Sequence, residues 1–316
     1  MIKILMLGKP GGTLARTYDW HIEALNNDML NRFKVECIHE MNGNIDINKY
    51  DIFWFYAKAF QPTLYHEIKK LRNDAKIICG PNILLDKPDI GLSDDWDNWY
   101  VNHCRPNIHL DQVSFYSNHV KKYLSKETKK VAKILDKCMK IEDVYYKSKN
   151  KKEYDCLIYS KKRRYDYGFE NFRNELVNLL KDNGITYYEI KAGKYGKYER
   201  EDYFDALNKS KVMVNLSLDE CPGILNYESM FCNVPVIGSE HNLPITSCKQ
   251  LIVENTDKMT DNYLVRESKA AEFYFDKIVM FLQNKIDINI DHRSWIIDYT
   301  SYKAYSNKVH DLIKEI

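Results

Sequence analysis

Short apolar runs alternate with longer amphipathic segments along the first half of the chain. The first run, IKILMLG at 2–8, predicts a buried strand, and the residues at 14–28 carry apolar side chains at helical spacing. The same alternation continues to residue 127, which predicts a parallel sheet with helices packed against it. The other predicted strands are 33–40, 50–57, 75–82 and 112–118, and the other predicted helices are 63–74 and 119–127.

A lysine-rich polar segment at 146–152 interrupts this pattern and is the predicted linker. The alternation then begins again, so we predict an α/β protein with two Rossmann-like domains that face each other across a cleft, at 1–148 and 153–285. A helical tail at 286–316 follows. In the second half the predicted strands are 155–160, 185–193, 211–217 and 234–239, and the predicted helices are 169–184, 199–210, 223–233, 270–285 and 301–316.

The composition is that of a globular protein. With 316 residues, 44% of them hydrophobic and 29% charged, the chain is long enough for two domains and is neither disordered nor fibrous. No apolar run reaches the roughly 18 to 20 residues of a membrane helix, and the apolar N-terminal run is too short for a signal peptide. We therefore expect a cytoplasmic protein, with peripheral membrane association as the alternative.

Charge and cysteine usage limit the possible partners. The net charge of +2 creates no dominant field, so the lysine-rich segments at 121–140 and 147–164 are interpreted first as solvated helix faces or linker. The eight cysteines include no C-x-x-C pair, which argues against a zinc site and against a disulfide framework, and we expect reduced thiols.

Two acids flank a Pro-Gly step in the segment LSLDECPGILNYESMFCNVPVIGS. Glu220 lies in the predicted loop at the carboxyl end of a strand, and Glu228 lies within the next predicted helix, for which Asn233 is the predicted C-terminal cap. Gly223 allows a ligand to approach the first amides of that helix, and these amides suit a phosphate. The pattern is that of a nucleotide-sugar site: amides for the diphosphate, one acid for the ribose and one for the sugar.

The stretch ECPGILNYE resembles the E-x7-E motif of the group-1 retaining glycosyltransferases of GT-B fold. The following residues match that motif in order and spacing at Glu228, Met230 and 235–237. The chain departs from it at Ser229, where the family has Ala, and at Asn233, where the family has Gly. Pro222 beside Gly223 replaces the family's usual pattern before the helix. The resemblance implies the GT-B fold and a C-terminal helix at 286–316 that packs back on the N-terminal domain.

The resemblance also implies roles for individual residues. A basic pair that neutralises the leaving diphosphate would be Lys161 with Arg163 or Arg164, although Asp166 stands at the family's usual spacing. Glu220 would orient the sugar hydroxyls. The residues implied to bind the donor are Glu228 at the ribose, Gly223, Ile224 and Leu225 at the helix start, Gly11 and Gly12 in the first glycine-rich turn, and Tyr195 or Tyr198 at the base.

The implied reaction transfers a sugar from a UDP- or GDP-linked donor to a hydroxyl of a glycan or lipid-linked acceptor, with retention and without a metal or cofactor. His103 and His109 are candidates on the acceptor side, with plain structural histidines as the alternative. The acids of SDDWD at 93–97 favour a turn or helix cap rather than a D-x-D metal site. Two other interpretations stay open: a GT-B enzyme that glycosylates modified DNA, ranked lower because of the low net charge, and a non-catalytic GT-B-like nucleotide-binding scaffold.

Overall fold

The computed structural model divides the chain into two compact units. The first comprises Met1–Lys140 and Asp298–Ile316, and the second comprises Ile141–Ile297. The residues that the structure describes are 1–8, 13–38, 45–56, 62–79, 135, 137–145, 151–162, 166–193, 195–217, 223–239, 249–253, 257–260, 263–266, 269–288 and 290–316.

Strands and helices alternate in both units, as the apolar pattern predicts. The first elements are β1 (Ile2–Leu7), α1 (Thr13–Asn26), β2 (Phe33–Ile38), β3 (Ile52–Phe55), α2 (Pro62–Leu71) and β4 (Lys76–Cys79). The elements that follow are β5 (Tyr154–Lys162), β6 (Asp166–Tyr167), α3 (Phe169–Asp182), β7 (Tyr187–Gly193), α4 (Arg200–Asn208), β8 (Ser210–Asn215), α5 (Ile224–Phe231), β9 (Val236–Ser239), β10 (Ile252–Val253), β11 (Asp257–Thr260), β12 (Tyr263–Arg266), α6 (Ala270–Leu282), α7 (His292–Thr300) and α8 (Tyr302–Glu315).

The first unit is built on a parallel sheet with the strand order β2-β1-β3-β4 among the described residues. All four residues of β3 are buried, as expected for a parallel strand covered on both faces. The C-terminal helix α8 packs beside α1 in this unit. Ser306 Oγ on α8 donates to the Ala24 carbonyl at 2.7 Å, and the Tyr302 hydroxyl donates to Glu23 Oε2 at 2.8 Å.

The second unit contains a parallel sheet with the order β10-β9-β8-β5-β7 among the described residues. In chain order this is the doubly wound arrangement 2-1-3-4-5, in which the direction of winding reverses between β5 and β8. The helices α3 and α6 cover this sheet with apolar side chains such as Phe172, Leu176 and Tyr274. Ligands of such sheets bind outside the carboxyl ends of the strands at the reversal, so the topology marks the carboxyl ends of β5 and β8.

The helix α5 ends in the turn that the sequence predicts at Asn233. Asn233 adopts a left-handed conformation with φ of 55°. Its N–H donates to the Met230 carbonyl at 2.9 Å, and the Val234 N–H donates to the Ser229 carbonyl at 3.0 Å. This hydrogen-bond pair is the Schellman arrangement, in which asparagine is the usual alternative to glycine.

The α/β class and the parallel arrangement of the main sheets confirm the predicted fold class. The predicted strand 112–118 and helix 119–127 lie outside the described residues. A small sheet of β11, β12 and β6 is not predicted by the apolar pattern, because β6 has only two residues. Within the described part of the chain, no helix is both long and apolar enough to cross a membrane.

Candidate functional site

The carboxyl ends of β5 and β8 supply the side chains of the candidate site. β5 ends with Ser160, Lys161 and Lys162, and Leu216 N–H donates to the Tyr159 carbonyl at 3.0 Å just past the end of β8. The next helix, α5, begins after Gly223, a buried residue with an extended backbone at the N-cap position. This edge therefore brings together the end of β5, which carries two lysines, and the two elements on either side of residues 218–222, β8 and α5.

Every residue of α5 is buried, although three of them are polar. Asn226 Oδ1 accepts from Asn215 Nδ2 at 2.7 Å, and Asn215 Oδ1 accepts from the Ser217 N–H at 2.9 Å. Ser229 Oγ donates to the Val234 carbonyl at 2.8 Å. Because buried polar groups are costly without partners, these bonds fix α5 against the end of β8.

Glu228 is the third buried polar residue of α5, and it forms an ion pair with Arg200. Arg200 Nη1 lies 2.8 Å from Glu228 Oε1, and the glutamate side chain is 0% exposed. The negative charge also acts on its neighbours. Burial first, and Glu228 second, raise the pKa of the Tyr203 hydroxyl well above its usual value and the pKa of the Cys232 thiol to about 12. Both groups are therefore neutral at physiological pH.

An aromatic group extends from β5 to the start of α5. The Tyr198 ring contacts Tyr159 edge-on at 6.1 Å between centroids and lies 5.9 Å from the Tyr203 ring. The Tyr203 hydroxyl donates to the Leu225 carbonyl at 3.0 Å. Tyr198, a predicted base-binding residue, is thus joined through Tyr203 to the first turn of α5.

Tyr195 belongs to a different set of contacts. Its hydroxyl donates to Glu170 Oε2 at 2.5 Å, and Lys162 Nζ lies 2.9 Å from Glu170 Oε1. Hydrogen bonds from Tyr195 and Lys162 lower the pKa of the Glu170 carboxyl, while burial and this carboxylate raise the pKa of Tyr195. The Tyr195 hydroxyl, a predicted base-binding group, is therefore hydrogen-bonded to Glu170 in this structure.

A mostly buried ion pair lies beneath the end of β5. Ser160 Oγ and Arg173 Nε each donate to Glu189 Oε1 at 2.6 Å, and Arg173 Nη2 pairs with Glu189 Oε2. Burial raises the pKa of the Glu189 carboxyl, but the hydrogen bonds from Arg173 and Ser160 outweigh it and the net shift is downward. This pair braces β5 against β7 and α3 just before Lys161.

Gly193 at the end of β7 keeps this edge closely packed. Its φ of +72° is in the left-handed region, and a Cβ at this position would lie 2.5 Å from the Lys162 carbonyl oxygen. The register pairs Lys161 with Ala192 and Lys162 with Gly193. The glycine therefore allows the end of β7 to lie close to the two lysines of β5. A residue with a side chain at this position would push the two strands apart.

The structure describes half of the predicted site residues. Gly223, Ile224, Leu225 and Glu228 lie on or beside α5, and Lys161 lies at the end of β5. Outside the described residues are Glu220, Arg163, Arg164, Gly11, Gly12, His103 and His109. In the described ranges, no group of three or more His, Cys, Asp and Glu side chains is placed to hold a metal ion.

Arg200 and the pair Arg173–Glu189 are not among the residues predicted from the sequence. The signal for Arg200 was a basic residue at the start of a helix between acids, where the positive end of the helix dipole disfavours it. The signal for the second pair was weaker, because Arg173 and Glu189 occupy a helix and a strand whose exposed faces also carry charges.

No family model and no curated protein matches the chain. Solved structures do match. The pneumococcal O-GlcNAc transferase GtfA in complex with UDP and GlcNAc aligns with a TM-score of 0.53 at 12% identity, over 84% of this chain and 56% of its own length. This chain thus spans little more than half of GtfA.

Two other structures match along their full length. An alpha-glucosyltransferase in complex with UDP and a 13-mer DNA has a TM-score of 0.54 at 12% identity, over 99% of this chain and 100% of its own. The chain has the GT-B fold. The N-terminal domain of trehalose-6-phosphate phosphatase from Candida albicans has a TM-score of 0.61 at 9% identity, over 99% of this chain and 98% of its own. At these identities the likeness concerns the GT-B fold, and the chemistry must be argued from the site.

Proposed function

We propose that this chain is a glycosyltransferase that moves a sugar from a nucleoside diphosphate sugar to a hydroxyl acceptor. The observation that carries the proposal is the edge where β5 and β8 end. The winding of the sheet reverses there, and the edge combines Lys161, the start of α5 and the buried acid Glu228. GtfA and the alpha-glucosyltransferase, two structures of the same fold, are complexes with UDP, which supports a nucleotide as the ligand.

The start of α5 suits the diphosphate. Gly223 has no side chain to cap the helix, and the first turn of α5 contains no acidic residue. The first amides of a helix carry partial positive charge and bind anions when no side chain caps them. Ile224 and Leu225 would contribute backbone amides here, while their side chains stay in the core.

Departure of the nucleoside diphosphate requires neutralisation of its developing charge. Lys161, together with Arg163 or Arg164, would supply that charge beside the α5 amides, so the proposed reaction needs no metal. Glu228 would bind the ribose hydroxyls and Glu220 the hydroxyls of the transferred sugar. Retention at the anomeric carbon and a glycan or lipid-linked acceptor complete the proposal, on the basis of the E-x7-E resemblance.

A screen of UDP- and GDP-sugars tests the proposal. We expect one donor to raise the melting temperature by several degrees at saturating concentration, because a ligand at about 100 times its Kd stabilises by about 2.7 kcal/mol. The enzyme should hydrolyse the same donor slowly, and it should release the nucleoside diphosphate faster when an acceptor is present. Glycans, lipid-linked glycans and modified DNA form the acceptor panel, so the DNA alternative is tested in the same assay.

Glu228→Gln is the matched variant for this screen, with Glu201→Gln as control. Glu201 is an exposed acid on the neighbouring helix α4. We expect Glu228→Gln to weaken donor binding at least about tenfold, the usual effect of losing a hydrogen bond to a charged group, and the control to bind as the parent does. If the protein instead binds nucleotides without preferring one donor and catalyses no sugar transfer or donor hydrolysis, it is a scaffold and the proposed activity is wrong.

A further inference from the structure

The ion pair between Arg200 and Glu228 joins two helices of the second unit. Arg200 is the first residue of α4, and Glu228 lies in the second turn of α5. The Glu228 side chain is 0% exposed, whereas the Arg200 side chain is 31% exposed. A carboxylate removed from water requires a compensating charge nearby, and Arg200 at 2.8 Å supplies it.

Arg200 is unfavourably placed for the stability of its own helix, α4. The partial positive charge at a helix start favours acidic residues, and α4 follows that rule with Glu199, Glu201 and Asp202. Arg200 alone carries the opposite charge in this turn. The ion pair with α5 therefore accounts for an arginine that local helix electrostatics disfavours.

The guanidinium of Arg200 is held on more than one side. Its Nη2 donates to the Asp143 carbonyl at 3.1 Å, and its plane lies over the Phe204 ring at 4.8 Å. With Nη2 bonded to the Asp143 carbonyl and the guanidinium carbon over the Phe204 ring, Nη1 is directed toward Glu228. A lysine at this position would keep the charge but lose the planar fork that makes this geometry possible.

We propose that Arg200 is a positioning residue for recognition of the donor ribose. This inference rests on the proposed function, in which Glu228 accepts hydrogen bonds from the ribose hydroxyls. By pairing with Glu228 Oε1 at 2.8 Å, Arg200 holds the carboxylate in one orientation, so that it acts as a directed acceptor. The chain should therefore distinguish nucleotides with an intact ribose diol from those without it, and this discrimination should depend on Arg200.

Titration calorimetry with UDP and GDP, each beside its 2′,3′-dideoxy analogue, measures the discrimination directly. For the parent we expect the dideoxy analogue of the preferred nucleotide to bind at least about tenfold more weakly. In Arg200→Met the two should bind within about threefold of each other, and Arg200→Lys should lie between. The control is Lys209→Met, which removes a cation from the other end of α4, where Lys209 pairs with Asp205 at 2.9 Å. It should keep the parent ratio.

Arg200→Met leaves a buried carboxylate without its arginine, so the variant could unfold. The double variant Arg200→Met with Glu228→Gln removes both charges and should fold, because replacing a whole buried ion pair is far milder than removing one partner. We expect it to show no more ribose discrimination than Glu228→Gln alone. This equality separates positioning through Glu228 from a general loss of structure.

The outcomes distinguish the proposed function, the role of Glu228 and the role of Arg200 from one another. Binding without ribose discrimination in the parent would overturn the role of Glu228 and with it the role of Arg200, while donor binding stands. Discrimination that persists in folded Arg200 variants would overturn the inference alone. If neither UDP nor GDP binds the parent, both the proposed function and the inference are wrong.

Discussion

The two units place their most shielded ion pairs at opposite edges of their sheets. In the second unit these pairs are Arg173 with Glu189, whose carboxylate is 11% exposed, and Arg200 with Glu228, whose carboxylate is 0% exposed. Both pairs link elements at or near the carboxyl edge of the sheet. Each charge loses hydration on folding, so the arrangement contributes less to stability than apolar packing of the same volume would.

In the first unit the comparable pair, Asp28 with Arg32 at 2.6 Å, lies just before β2, at the amino edge of the sheet. The buried histidine of this unit is neutral at physiological pH. His21 on α1 is 0% exposed, and its Nε2 accepts from the Cys138 N–H at 3.2 Å. Its ring stacks on Tyr305 of α8 at 4.5 Å and meets the Tyr56 ring edge-on at 5.6 Å. Burial, and secondarily the charge of Lys137, lower the pKa of His21 to about 3.

The difference therefore lies in the position of the ion pairs: among the described residues, the second unit has them at the carboxyl edge, where ligands of such sheets bind, and the first unit has its shielded pair at the opposite edge. The His21 cluster ties the C-terminal helix to α1 with ring contacts that need no charge. The ion pairs of the second unit instead hold side chains at the edge where the winding of the sheet reverses. Fixed charges of this kind are typical of sites that recognise a polar ligand.

Removal of Arg173 should have the largest effect on stability. Arg173→Met leaves the mostly buried Glu189, 11% exposed, without its cation, and we expect a loss of about 3 kcal/mol in the free energy of unfolding, measured by denaturant titration. Lys211→Met is the control, because the Lys211–Asp155 pair is at the surface, with the lysine side chain 50% exposed. The control should lose less than about 1 kcal/mol. Equal losses in the two variants would contradict the distinction between buried and exposed pairs.

Acid should destabilise the first unit through His21. The pKa of His21 is about 3 in the folded state, whereas an unperturbed histidine has a pKa of 6.5, so the contribution of His21 to stability is complete above pH 6.5 and falls as the pH drops toward 3. Between pH 7 and pH 5 the expected loss is about 2 kcal/mol, at about 1.4 kcal/mol per pH unit. Hydrogen exchange of α1 and α8 at both pH values measures it.

His21→Gln is the comparison for this pH dependence, since glutamine does not titrate. We expect the variant to be less stable than the parent at pH 7 but to lose less stability on acidification. A parent whose α1 and α8 amides exchange equally slowly at pH 5 and pH 7, after correction for the intrinsic rate, would show that His21 is not buried as a neutral group.

The smallest predicted effect concerns the end of α5. Asn233→Ala should cost about 1 kcal/mol, because alanine is strained at a φ of 55°. Asn233→Gly should match or exceed the stability of the parent, since glycine adopts this conformation without strain. Thermal unfolding of the three proteins gives the order, and a stable alanine variant would contradict the assigned turn.

The sequence was sufficient for the elements whose pattern is strong. Buried strands such as β1, β3 and β8 each contain at least three consecutive apolar residues, and the cap at Asn233 follows from its place between a helix and a strand. The small sheet and β10 were not predictable in this way, because β6 and β10 have only two residues each and β11, with the sequence DKMT, has no apolar run. Their pairing depends on contacts between distant segments.

The acids of the candidate site were predictable from the sequence, but the residues that form ion pairs with them were not. Glu228 stands out because it follows a strand and a Pro-Gly step in a recognisable spacing. Arg200 lies 28 positions earlier, in another helix, and only the packing of α4 beside α5 brings it to 2.8 Å. Ion pairs between elements are set by tertiary geometry, for which a single sequence has no periodic signal.

The central claim is that the donor binds at the carboxyl edge of the second sheet. Amide hydrogen exchange with and without the stabilising nucleotide sugar tests it most directly. We predict slower exchange at 160–162, 215–217 and 223–228 in the complex, with β1 to β4 unchanged at saturation. Protection confined to the first unit, or absent from the start of α5 while the sugar nucleotide is bound, would contradict the claim.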